Sequence, residues 1–93
     1  MASVRPGITI KQYQDFVRDV YGKPNDLHFD LFDMTSNVER FAMRALKGIR
    51  KRDRERTRFN LLISLSRFMS TLNRLHINLE DDLFRRFPYL CSY

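Results

Sequence analysis

The stretch FNLLISLSRFMSTLNRLHINLE, residues 59–80, decides how the chain folds. Leu61, Leu65, Phe68, Leu72 and Leu75 recur in steps of four and three, the spacing that stacks side chains on one face of an α-helix. Leu62, Met69 and His76 form a second stripe seven residues apart. A helix that is apolar on two sides is expected to lie between neighbouring helices or at a subunit interface. Ser64, Ser66, Ser70 and Thr71 are small enough to let another helix approach closely.

On the C-terminal side, Asn78 predicts the cap of a short last helix. Asp81 and Asp82 fall in its first turn, where the partial positive charge of the helix end favours carboxylates. Leu79, Leu83 and Phe87 face inward, and Pro88 is expected to stop that helix. On the N-terminal side, Thr9 and Gln12 form a capping box that opens a first helix. Its apolar face holds Ile10, Tyr13, Phe16, Val17 and Val20, and Gly22 with Pro24 close behind predicts its end near Tyr21. A second helix opens near Asn25 or Asp26, with Leu31, Met34, Val38, Phe41, Ala42, Ala45 and Ile49 on its apolar face. Thr35 and Ser36 before Glu39 offer a second start near Met34, and Gly48 offers an end. The expected architecture is all-α: an antiparallel four-helix bundle with two long central helices, about Leu27 to Ile49 and Arg58 to Leu75, in one domain over residues 1–93.

Composition sets the outer limits. A chain of 93 residues supports a single core that buries somewhat over ~60% of the unfolded surface, a thin margin that pairing with a second copy commonly enlarges. No apolar run approaches the roughly 18 residues that span a bilayer, and Met1 to Lys11 lack the apolar stretch of a signal peptide. Cys91 has no second cysteine to pair with, and with His28 and His76 it makes no metal-ligand cluster. A reducing cytoplasm is the expected location. Neither histidine accompanies a serine or cysteine in a nucleophilic pattern, so no catalytic residue is assigned. Phe84, Phe87, Tyr89 and Tyr93 are expected in the core or at dimer contacts.

The charge is concentrated in one place. Lys47, Arg50, Lys51, Arg52, Arg54, Arg56 and Arg58 stand against Asp53 and Glu55, a local +5 within a total of +6. With no apolar residue between Arg50 and Arg58, that segment reads as a solvated helical extension or an exposed connection.

Taken together, the segments resemble the MazG-like branch of the all-α nucleoside triphosphate pyrophosphohydrolases. The opening Ile8-Thr9-Ile10-Lys11-Gln12-Tyr13-Gln14-Asp15-Phe16-Val17 is similar to that family's first helix. The run from Leu72 through Asn73 to Glu80, followed by Arg85-Arg86-Phe87-Pro88 and Cys91-Ser92-Tyr93, is similar to its ending. The resemblance implies a dimer or a dimer of dimers. It also implies a magnesium site built from Glu-x-x-Glu on one helix and Glu-x-x-Asp on the next, each pair sharing a face because residues three apart are neighbours. Laid on this chain, the first pair falls at Asn37 and Arg40 and the second at Asn60 and Ile63. None of the four is a carboxylate. Glu39 lies one position away, a rotation of about 100° off the shared face. An arginine at position 40 repels a divalent cation but donates fixed hydrogen bonds to a phosphate.

Three functions follow as expectations. The first is a non-catalytic helical domain that works by binding a protein partner or a nucleotide, with no metal and no cofactor. The second is an active magnesium-dependent pyrophosphohydrolase that draws on Asp30, Asp33 and Glu39. The third is a nucleic-acid-binding module using residues 47–58, where Arg50, Lys51, Arg52, Arg54, Arg56 and Arg58 are candidate phosphate-binding residues, as Arg40 is in the pocket that has lost its carboxylates.

Overall fold

Thr9 opens the first helix as its spacing predicts: its hydroxyl accepts from Gln12 N at 3.1 Å, and Gln12 Oε1 accepts from Thr9 N at 2.9 Å. A computed structural model of the chain describes residues 4–90, with side chains through Arg86. It holds four helices, α1 (Ile10–His28), α2 (Leu31–Arg50), α3 (Arg54–Arg74) and α4 (Leu79–Leu90), an all-α four-helix bundle. None of them is long and apolar enough to cross a membrane.

The first helix does not stop at Tyr21. It continues through Gly22 and Pro24 to His28, although Pro24 lacks the N–H that would bond the carbonyl one turn back. The added turns are held from outside. Arg74 Nη2, at the end of α3, donates to the Asn25 and Phe29 carbonyls at 3.0 Å each, and Asn25 is buried. Leu27, expected to begin the second helix, therefore belongs to α1. The second helix begins only at Leu31, where Asp30 and Asp33 form a capping box: Asp33 N donates to Asp30 Oδ1 at 2.7 Å and Asp30 N to Asp33 Oδ2 at 3.2 Å.

That helix then runs unbroken past Thr35 and Gly48. The Thr35 hydroxyl donates to the Leu31 carbonyl of its own helix and starts nothing new. Gly48 is a point of close approach rather than an end. A Cβ there would sit 2.6 Å from Thr57 Oγ1 and 2.9 Å from Thr57 N, so only glycine lets α2 and α3 meet at this depth. Farther along the pair, Ser64 Oγ donates to the Val38 carbonyl at 3.0 Å, as the small side chains on α3 lead one to expect.

The core sits at the other end of α3. Met69 and Leu72 are buried with Val17 of α1, and Tyr13, Phe16, Ile77 and Leu79 pack around them. Helix α1 thus packs on the C-terminal half of α3, α4 packs on α1 and reaches this core through Leu79, and α2 runs along the length of α3. The radius of gyration is 14.7 Å, against about 12 Å for a compact chain of this length.

At the last junction Asn78 Oδ1 accepts from Asp81 N at 3.2 Å, the expected cap. Pro88 does not end α4, which reaches Leu90. Phe84 is exposed and not part of the core. The expectations for the side chains of Phe87, Tyr89 and Tyr93, and for Cys91, fall outside the described residues.

Candidate functional site

Three surfaces stand out: the tip of the α2–α3 hairpin, the uncovered face of α3, and a cleft where α1 meets the α3–α4 junction.

The hairpin tip is a rigid turn. Arg52 takes a left-handed φ of 55°, Asp53 N donates to the Gly48 carbonyl at 2.9 Å and Arg52 N to the Ile49 carbonyl at 3.1 Å. This crossed pair is the Schellman arrangement, built here around an arginine where glycine is usual. Asp53 at once caps α3, accepting from Arg56 N at 3.1 Å, so the basic segment is the end of one helix, a three-residue turn and the start of the next. Lys47, Arg50, Lys51, Arg52, Arg54 and Arg58 are exposed, and Arg56 is half-buried. Both acids of the segment are engaged locally, Asp53 by the helix N-terminus and Glu55 by Arg58 at 3.2 Å. Among the described residues, Lys47, Arg50, Lys51, Arg52 and Arg54 take part in no ion pair.

The uncovered face of α3 is apolar. Phe59, Leu61, Leu62, Leu65 and Phe68 are 63%, 51%, 63%, 41% and 39% exposed. Arg67, on the same stretch, lies over the Phe41 ring at 6.0 Å, with Arg44 on that ring at 4.9 Å.

The four positions that the resemblance assigns to the magnesium carboxylates are dispersed in their surroundings. Asn60 is buried, and its Nδ2 donates to the Arg56 carbonyl of its own helix at 2.8 Å. Ile63 lines a shallow cavity of about 190 Å³ with Tyr21, Phe41, Ser66, Arg67 and Ser70. Asn37 is half-buried and Arg40 exposed, and neither lines this cavity or the larger cleft described next. Among the described residues, no three His, Asp, Glu or Cys side chains come together as metal ligands. Asp30 and Asp33 cap α2, and Glu39 is exposed.

The cleft between α1 and the α3–α4 junction, about 460 Å³, is polar. Sequence reading missed the residues that build it. Gln14 is buried, with Nε2 donating to the Ile77 carbonyl and Oε1 accepting from Leu79 N at 3.1 Å. Asn73 Nδ2 returns a bond to the Gln14 carbonyl at 3.1 Å. Arg74 Nε lies 2.8 Å from Asp26 Oδ1, an ion pair by distance that does not meet hydrogen-bond direction. Asp26 is largely exposed, so that pair contributes little. The only advance signal was three long polar side chains on faces otherwise apolar. Each of the cleft's cations already faces an acid, Lys11 and Arg18 at Asp15 and Arg74 at Asp26, and the cleft reads as a structural seam.

No protein-family model, curated protein or solved structure matches the chain.

Proposed function

We propose that the chain is a non-catalytic relative of the MazG-like helical fold that acts by binding, and that its binding surface is the uncovered apolar face of α3, taken by a second copy. The observation that carries this reading is the exposure of Leu61, Leu62, Leu65 and Phe68, which the helical period marks as core residues, together with that of Phe59. Isolated exposed apolar residues need no explanation; five within ten residues of one helix form a patch. Among the described residues the buried apolar set is correspondingly small: Val17, Met34, Ala45, Met69 and Leu72.

A second copy suits this face because the face is self-complementary. It consists of branched and aromatic side chains, and Arg67 is turned onto Phe41. Arg58, one turn before Leu61 and Leu62 on the same side, is paired with Glu55 at 3.2 Å, which limits like-charge repulsion in a two-fold pairing. Covering the exposed half of five such side chains on each copy recovers on the order of 10 kcal/mol. Association costs about 4–15 kcal/mol, so the pairing is concentration-dependent.

The absence of turnover follows from side-chain chemistry. Asn37, Arg40, Asn60 and Ile63 supply no negative oxygen, and the Asn60 amide is engaged by Arg56. Two measurements test the reading. The thermal midpoint is expected to rise with protein concentration, as mass action requires of a pairing that stabilises the fold. Magnesium-dependent pyrophosphate release from the common nucleoside triphosphates is expected to stay at background. A concentration-independent midpoint contradicts the pairing, and turnover abolished by Glu39→Gln contradicts the loss of catalysis.

A further inference from the structure

We propose that the tip of the α2–α3 hairpin, through Lys47, Arg50, Lys51, Arg52 and Arg54, binds the phosphate backbone of nucleic acid. The inference goes beyond self-association and does not rest on it.

A run of basic residues is usually a solvated surface, and three features of this one set it apart. First, the cations are available: all five are exposed and in no ion pair among the described residues, while Asp53 and Glu55 are held within their own helix. Second, they are preorganised. The Schellman turn fixes Arg52 at a left-handed φ of 55°, and the Gly48–Thr57 approach locks the two helix ends together. Phosphate contacts to such a turn order less chain than contacts to a mobile loop. Third, the set is rich in arginine, whose planar fork grips phosphate oxygens two at a time.

The alternatives fit less well. Residues 50–58 contain no apolar side chain, and Ile49 is the one large apolar residue among the five cations, too little to anchor the turn in the acyl region of a membrane. An acidic protein would be expected to meet more apolar surface beside the charge than the single exposed Ile49 supplies among these cations. The tip carries no asparagine, glutamine or aromatic side chain beside its cations to read adenine or stack on a base. Binding is therefore to the backbone and independent of sequence.

The test uses a short fluorescently labelled duplex and fluorescence anisotropy with the full chain. Neutralising about five phosphates gives a log–log salt slope of about −4.5, so raising salt from about 50 to 200 mM weakens binding about 500-fold. Arg50→Gln with Arg52→Gly and Arg54→Gln removes three tip charges and leaves glycine where the turn prefers it. Its slope is expected near −2, with weakening of about 12-fold over the same range. The control, Arg5→Gln with Arg85→Gln and Arg86→Gln, removes the same charge from exposed positions elsewhere and is expected to keep the wild-type slope. Circular dichroism checks that both variants are folded. Polyglutamate and phosphatidylserine vesicles serve as competitors and are expected not to displace the duplex. No binding at low salt, equal loss in both variants, or displacement by either competitor overturns the proposal.

Discussion

Gln14 and Ile77, 63 positions apart, are joined by a hydrogen bond of 2.6 Å from the Gln14 amide to the Ile77 carbonyl. The same side chain accepts from Leu79 N, so one buried amide fixes the turn between α3 and α4 against the first turns of α1. Gln14→Met keeps the length and apolar stem but leaves a buried carbonyl and N–H without partners. A loss of about 2–4 kcal/mol is expected, because each orphaned group costs roughly 1–3 kcal/mol. Urea unfolding measures it directly.

Arg74 has a comparable role for the end of α1. Its Nη2 reaches two carbonyls, of Asn25 and Phe29, and so holds the turns beyond Pro24. Arg74→Met is expected to free those turns without unfolding the rest. Amide exchange at Phe29, whose N–H bonds the Asn25 carbonyl, is then expected to accelerate to near the unprotected rate, while Val17 stays protected.

At Gly48, helix propensity and packing pull in opposite directions. Alanine is favoured over glycine in a helix by about 1 kcal/mol. A Cβ at this position would nevertheless meet the Thr57 backbone N at 2.9 Å, which no side-chain movement relieves. Gly48→Ala is expected to destabilise by about 1–3 kcal/mol, the usual cost of overpacking, and Thr57→Ala is expected to recover only part of it. Thermal denaturation of the single and double variants checks both statements.

Arg52 and His76 both occupy left-handed backbone, with φ of 55° and 57°, and each closes a Schellman turn. A side chain with a Cβ is held there at a cost of roughly 1–2 kcal/mol, partly offset by the flexibility glycine adds to the unfolded chain. Arg52→Gly and His76→Gly are each expected to stabilise by about 0.5–1 kcal/mol. The urea midpoint should rise with an unchanged slope.

What the sequence disclosed divides along the line between local and distant causes. The Thr9–Gln12 box and the Asn78 cap involve neighbours within one turn, and both are where the pattern puts them. The Asp30–Asp33 box is equally local but uses two aspartates, outside the usual Ser/Thr and Glu/Gln signature, and went unread. Gly22 and Pro24 look like a helix end because the stabilising partner, Arg74, is remote in sequence. Two turns lack the glycine that announces such turns, so the Arg52 turn was indistinct and the start of α3 was placed too late. The leucine period on α3 correctly announced a helix. It could not say that Met69 and Leu72 are buried within the chain while Leu61, Leu62, Leu65, Phe68 and Leu75 stay exposed. Of the candidate site, the basic tip was plain in the charge pattern, whereas Gln14, Asn25 and Arg74 gave no pattern of their own.

Leu65 tests the central claim most directly, since it lies in the uncovered apolar face and is 41% exposed in the single chain. Sedimentation equilibrium of the wild type and Leu65→Asp, run side by side, separates pairing from folding. The wild type is expected to approach twice its 11.2 kDa mass as concentration rises, and the variant to stay at 11.2 kDa with its helical circular dichroism intact. A wild type that remains at the single-chain mass throughout, or a variant that pairs as well as the wild type, contradicts the account.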